Sequence, residues 1–250
     1  MQIELKQVSK TYSTDNVTYI KALQKIDLTI RPKDFITIVG ANGSGKSTLL
    51  NAIAGSATID EGSIEFDGKP VQKLAVHQRS KYVARIFQNP LSGTAPSLHV
   101  IDNFRLAALR TKVKLPFIGN TKKFEEQVAN TIQQLGLGLE NKLHQPMGSL
   151  SGGQRQALTL LMAVQDTVRV LLLDEPTAAL DPKSANIVMQ TAQKLIEQQQ
   201  LTAVYITHSL ADAAQYGNRI IEMKNGVIAK DIAGEEKKLL TAAHLAAWFA

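Results

Sequence analysis

The chain has 250 residues, 44% of them apolar, with 28 Lys+Arg against 22 Asp+Glu and no cysteine. A chain this long buries roughly 70–75% of its unfolded surface and needs no covalent or metal staple to fold. Without cysteine it holds no disulfide scaffold, thiol nucleophile or Cys-ligated zinc or iron–sulfur centre, and its histidines at 77, 99, 144, 208 and 244 show no metal-ligand spacing.

Residues 1–8 (MQIELKQV) alternate like a half-buried strand, and Ile26, Leu28 and Ile30 do the same. Phe35 to Val39 is a short β-rich apolar run that stops at Gly40, as a buried strand entering a turn does. Ser63 to Phe66, between Gly62 and Asp67-Gly68, reads as part of a hairpin. Antiparallel strands are therefore expected to dominate the first sixty-odd residues around a parallel core.

From about Leu91 the pattern turns helical, with stretches Ile101 to Arg110 and Lys122 to Leu135 punctuated by Pro116, Gly119, Gly136 and Gly138. Strand and helix then alternate: Arg169 to Leu173 strand, Asp181 to Gln199 helix, Thr202 to Ile206 strand, and a helix near Leu210 to Gln215. Such alternation argues for a parallel sheet covered by helices. Arg219 to Lys224 and Val227 to Lys230, joined by Asn225-Gly226, predict a closing hairpin, and Lys237 to Ala250 a terminal helix in which Trp248 and Phe249 pack.

The expected fold is thus α/β, a mainly parallel sheet with an N-terminal antiparallel β subdomain and an inserted α-helical subdomain. Residues 1–90 and 166–250 would form the core and 91–165 the helical insertion of one domain. The longest apolar run is Leu245 to Ala250, whereas a membrane-crossing helix takes about 20 residues. Met1 to Lys10 lacks the pattern of an export signal, so a cytosolic location is expected. Residues 1–125 hold 18 Lys+Arg and 10 Asp+Glu, and residues 126–250 hold 10 and 12. The basic half has no run longer than pairs such as Lys122-Lys123, and aromatics are only 5%, so a solvated basic surface is the expected reading and no nucleic-acid partner is.

The chemistry is concentrated in GANGSGKST, Gly40 to Thr48, directly after the apolar strand. It fits G-x-x-x-x-G-K-[ST], in which glycines at 40, 43 and 45 let the backbone N–H groups of Asn42, Gly43, Ser44 and their neighbours turn toward a phosphate chain. A helix beginning near Lys46 adds the positive end of its dipole. The Lys46 ammonium reaches the terminal phosphates, and the Ser47 hydroxyl is a ligand for Mg²⁺. Asp174 and Glu175 close the strand VRVLLLDE at its carboxyl end, where ligands bind in open α/β sheets. Asp174 would hold Mg²⁺ through water, and Glu175 would polarise the water that attacks the γ-phosphate.

LSGGQRQ, Leu150 to Gln156, offers a second phosphate-binding helix start, with Ser151 as cap and the Gly152-Gly153 N–H groups exposed beside Gln154. With these motifs in this order, the chain resembles the nucleotide-binding subunits of ABC transporters over essentially its whole length. The resemblance implies that Ser151 to Gln154 of one copy close over ATP held by the phosphate loop of another, in a head-to-tail homodimer. It also gives roles to single residues. Tyr12 in SKTYS, 28 residues before Gly40, would stack on adenine, and Gln88 in IFQNP, beside Pro90, would touch Mg²⁺ or the attacking water. Asp181 in AALDP would run across the dimer interface, and His208 after AVYIT would contact the γ-phosphate. Ala41 and Ala178 replace the Pro and Ser common in the family, at positions whose side chains phosphate contact does not need.

The function implied is ATP hydrolysis that powers separate transmembrane permease subunits from the cytoplasmic face of the membrane. Leu91 to Phe104 resembles uptake-type subunits that work with an extracellular binding protein, which favours import. The rival reading is a soluble ATPase of the same family doing assembly work, such as iron–sulfur cluster biogenesis.

Overall fold

A computed structural model of the chain describes residues 1–13, 19–89, 92–109, 122–164 and 168–249. Pro90, Leu91, Arg110, Pro116, Gly119 and Ala250, each used in the sequence reading, lie outside the described residues.

Strands β1 (Ile3–Ser13), β2 (Tyr19–Ile30), β4 (Glu61–Phe66) and β5 (Lys69–Pro70) form an antiparallel sheet in the order β2-β1-β4-β5. The second sheet contains β3 (Phe35–Val39), β6 (Val83–Ile86), β7 (Val170–Asp174), β8 (Thr202–Ile206), β9 (Arg219–Lys224) and β10 (Val227–Ala233), ordered β10-β9-β3-β8-β7-β6. Its pairs are parallel except β9 with β10 at one edge. Helices α1 (Lys46–Ala54), α2 (Val76–Arg79), α3 (Val100–Ala108), α4 (Lys122–Gln133), α5 (Gly152–Ala163), α6 (Pro182–Gln199), α7 (Leu210–Gln215), α8 (Gly234–Lys238) and α9 (Ala242–Ala246) complete the described elements, with 3₁₀ turns at Leu139–Lys142 and Met147–Ser149.

The core follows from strand periodicity. Successive side chains of β7 point to opposite faces. Leu171 and Leu173 enter a cluster with Phe104, Val128, Leu158 and Val188 from α3, α4, α5 and α6. Val170 and Leu172 enter another with Leu49 and Ile53 of α1 and Ile3, Leu28 and Ile64 of the antiparallel sheet. A strand buried on both faces reads as a continuous apolar run, and each of these side chains contributes roughly 1.5–3 kcal/mol.

Several boundaries differ from the sequence expectation. The first strand continues past Val8 to Ser13 through register shifts, with Gln7 in the left-handed region at φ 51°. A bulge lets a polar segment continue a strand without keeping alternation. The single terminal helix expected over Lys237 to Ala250 is instead α8 and α9. Between them the Thr241 hydroxyl accepts from the His244 N–H at 3.3 Å, and a threonine that caps a new helix ends the old one. Trp248 packs against a small cluster around Val39, Ile220 and Leu245, whereas Phe249 is exposed rather than packed. β10 runs to Ala233 instead of Lys230, and the second stretch of the helical region ends at Gln133 before Leu135.

Candidate functional site

Of the predicted residues, Gly40 to Thr48, His208, Asp174, Glu175 and Gln88 converge on the carboxyl ends of the four adjacent parallel strands β3, β8, β7 and β6. β3 is fully buried and hands over to the loop at Gly40, and α1 starts at Lys46. Gly45 sits at φ 102°, and a Cβ there would lie 2.3 Å from the Ala22 carbonyl oxygen, so only glycine fits. Asn42, Gly43 and Ser47 are exposed, Thr48 is half-buried, and the buried Ser44 hydroxyl has no partner. The Lys46 ammonium is buried and donates to the carbonyls of Gly40 (2.7 Å) and Ala41 (2.9 Å). Burial pushes its pKa below the ordinary value, with Glu175 and Asp174 opposing that shift. The loop and its lysine thus form an anion seat in which the cation is held by carbonyls that a phosphate oxygen can replace.

Asp174 ends β7. Its Oδ1 accepts from the Ser47 hydroxyl at 3.3 Å, and its Oδ2 pairs with Arg85 Nη2 at 2.6 Å. Arg85 belongs to β6, also donates to the Asn51 side chain of α1, and stacks its guanidinium 4.8 Å from the Phe87 ring centroid. The Ser47 hydroxyl and the Asp174 carboxylate are hard oxygen donors side by side, the chemistry Mg²⁺ selects. No group of three or more His, Cys, Asp or Glu suited to a metal occurs among the described residues. An ion held here takes its other ligands from water and phosphate, as Mg²⁺ does in nucleotide sites.

Glu175 follows with φ 49°, a strained setting for a non-glycine residue, and its N–H donates to the Ile206 carbonyl at 3.1 Å. Its Oε1 lies 2.8 Å from Nε2 of His208, which comes two residues after β8 ends. The pair borders a cavity of about 430 Å³ whose walls include Thr177, Asn186, Thr207 and Ser209. Gln88 is exposed two residues beyond β6. Tyr12, near the end of β1, is 38% exposed, with Lys10 Nζ 5.4 Å from its ring centroid, so one face of a flat aromatic is in reach of solvent.

The LSGGQ segment stands apart. Ser151 caps α5: its hydroxyl accepts from the Gln154 N–H, and the Gln154 side chain accepts from the Ser151 N–H, each at 3.3 Å. Arg155 donates to the carbonyls of Met147, Gly148 and Leu150, bracing the preceding turn. A Cβ on Gly153 would lie 2.6 Å from the Ser184 Cβ, so glycine here lets α5 meet α6. Asp181 caps α6 by accepting from the Ser184 N–H at 3.0 Å, and hydrogen bonding to Ser184 holds its carboxyl below the usual range. No hydrogen bond or ion pair joins Ser151 to Gln154 with Gly40 to Thr48 among the described residues.

Two residues in this site were missed from sequence. Arg85 carries no motif and Gln156 is the last residue of LSGGQRQ; both become visible only once β6, β7 and α5 are adjacent. Among the described residues no helix is long and apolar enough to cross a membrane.

The profile of the ABC transporter family matches residues 23–178. A tyrosine transport ATP-binding protein of Clostridioides difficile is 36% identical, with 96% of this chain and 95% of that protein aligned. A phosphonates import ATP-binding protein of Rhizobium meliloti is 33% identical over 96% of this chain and 84% of its own length. Among solved structures, the dimeric post-hydrolysis state of the ATP-binding cassette MJ0796 bound to ADP and Pi superposes with a TM-score of 0.78 at 28% identity, covering 92% of this chain and 98% of that one. Phosphate loop, carboxylate strand and LSGGQ helix all lie on a fold shared along nearly its whole length, and the chain belongs to the ABC transporter family as an ATP-hydrolysing, ATP-binding subunit.

Proposed function

We propose that two copies of this chain close head-to-tail on ATP and that this closure drives import through separate transmembrane permease subunits at the cytoplasmic face of the membrane. Residues 1–90 and 166–250 act as the catalytic core, and 91–165 as the helical subdomain that carries LSGGQ to the partner. The observation that carries the reading is the separation of two phosphate-binding surfaces in one chain: the seat around Lys46 and the exposed start of α5 at Ser151.

In this reading Tyr12 stacks on adenine, and the backbone from Gly40 to Thr48 holds the phosphates, with Asn42 at the open rim. Lys46 exchanges the Gly40 and Ala41 carbonyls for phosphate oxygens. Ser47, Asp174 and, two residues beyond β6, Gln88 are the residues that would hold Mg²⁺, which supplies charge neutralisation to the phosphates when bound. Glu175 takes up the proton of the attacking water, and His208, 2.8 Å from it, orients that carboxylate and reaches the γ-phosphate. Ser151, Gly152, Gly153 and Gln154 of one copy complete the oxygen cage of the other, with Asp181 at the seam. Import, with an extracellular binding protein as a further partner, is supported by the phosphonates import relative and by the sequence of Leu91 to Phe104.

Because the chain has no cysteine, the dimer can be tested directly. Asn42→Cys and Ser151→Cys proteins, mixed and treated with a short bis-maleimide, are expected to cross-link to each other when ATP is present. Failure to do so at saturating ATP overturns the head-to-tail arrangement. Co-purification with a detergent-solubilised permease supports transport, whereas a stable complex with soluble scaffold proteins supports the assembly reading instead.

A further inference from the structure

One side chain of the helix that carries LSGGQ is hydrogen-bonded to both segments that bear the proposed water-polarising residues. Gln156, in the second turn of α5, is 1% exposed, and its Nε2 donates to the carbonyl of Phe87 (3.0 Å) and to that of Pro176 (3.2 Å). Two carbonyl acceptors fix which end of the amide is nitrogen. Phe87 immediately precedes Gln88, and Pro176 immediately follows Glu175. One buried amide therefore grips the carbonyl of a chain neighbour of each of two residues assigned to the attacking water. Its other end, Oε1, is buried with no partner among the described residues. A buried acceptor left unpaired is unfavourable. Gln156 keeps that arrangement because its nitrogen satisfies two carbonyls.

We infer that Gln156 is a positioning residue for hydrolysis: it clamps α5 to the carbonyls of Phe87 and Pro176, the chain neighbours of Gln88 and Glu175, so that the placement of the LSGGQ helix sets the geometry of the water-polarising pair. The inference rests on the proposed roles of Glu175 and Gln88. Nothing in the clamp touches the phosphate loop or Tyr12, so nucleotide affinity of the single chain is not expected to depend on it. An apolar side chain of the same length, Gln156→Met, removes both donors while preserving volume and helix propensity. Displacement of catalytic groups by about 1 Å lowers turnover by around a hundredfold.

The test measures ATP affinity, by fluorescent-nucleotide titration, beside kcat for the parent, Q156M, Q156H and E175Q proteins. Expected is a fall in kcat of about a hundredfold in Q156M at unchanged ATP affinity, with Q156H, which keeps one ring N–H donor, in between. A kcat equal to the parent's overturns the clamp, as does a loss of kcat matched by an equal loss of affinity, which marks a general packing defect. Should Q156M not fold, the same split in Q156H decides the matter. E175Q separates this inference from the reading beneath it. Full hydrolysis in E175Q overturns the role of Glu175, whereas an inactive E175Q beside a normal Q156M overturns the clamp alone.

Discussion

Glu175→Gln is the most informative single change because the structure limits what it alters. The amide has the size of the carboxylate and can keep a hydrogen bond to His208 Nε2, now 2.8 Å away, and the left-handed backbone at φ 49° is as tolerable to Gln as to Glu. Asp174, Ser47 and Lys46 are untouched, so the nucleotide seat remains. What is lost is a base able to accept the proton of the attacking water. General-base catalysis is worth about 10²- to 10⁴-fold, or roughly 3–5 kcal/mol of barrier. The variant is therefore expected to bind ATP normally, to lose hydrolysis by at least about a hundredfold, and to accumulate as an ATP-bound dimer. Phosphate release at saturating ATP and light scattering with and without nucleotide measure the two effects. Turnover close to the parent's would refute the assignment of Glu175 as the base.

Other expectations follow from single contacts. Lys46→Ala removes the buried cation that the Gly40 and Ala41 carbonyls now hold, and one charged hydrogen bond is worth about 1.5–3 kcal/mol, so ATP should bind about 10- to 100-fold more weakly in equilibrium titration. Normal affinity would remove Lys46 from the phosphate site. Arg79→Met strips the donors from the Ala52 and Ile53 carbonyls at the end of α1 and should destabilise the fold by about 1.5–3 kcal/mol, read as a melting shift of roughly 2–4 °C per kcal/mol. Gly153→Ala places a Cβ 2.6 Å from that of Ser184, so α5 and α6 must separate, at a loss of about 1–3 kcal/mol by chemical denaturation. An unshifted midpoint would show that the two helices do not pack as described.

The legible parts of this sequence were those whose structure is decided locally. Phe35–Val39, Thr202–Ile206 and Leu210–Gln215 fall at the expected residues because an apolar run bounded by turn residues, or a serine before a helix, carries its own limits. The phosphate loop and the Ser151 cap were legible for the same reason. What the chain hides is whatever depends on which strands lie side by side. Arg85 meets Asp174 across 89 positions only because β6 and β7 pair with Arg85 opposite Leu172. The Glu175–His208 contact likewise depends on Asp174 standing opposite Ile206. At the carboxyl end, continuous helix propensity misled because the Thr241 cap competes with it, an effect of one hydroxyl that periodicity does not register.

Arg85 shows what the arrangement of strands adds to the motifs. Oδ2 of Asp174 is engaged by the guanidinium, which leaves Oδ1 directed at Ser47. An arginine stays charged throughout the physiological range, so this half of the carboxylate is neutralised whether or not nucleotide is present. The same guanidinium binds Asn51 on α1 and stacks on Phe87, whose carbonyl is one of the two held by Gln156. The phosphate-loop helix, the Asp174 strand, the segment leading to Gln88 and the LSGGQ helix are therefore joined by two side chains, one charged and one amide. From α5 to the seat of the phosphates the contacts run through Gln156, Phe87, Arg85 and Asp174 of one chain. Ser151 to Gln154 has no hydrogen bond to that seat among the described residues. In the proposed dimer each copy thus offers one phosphate seat and one lid, with Gln156 tying the lid a copy lends to the seat it keeps.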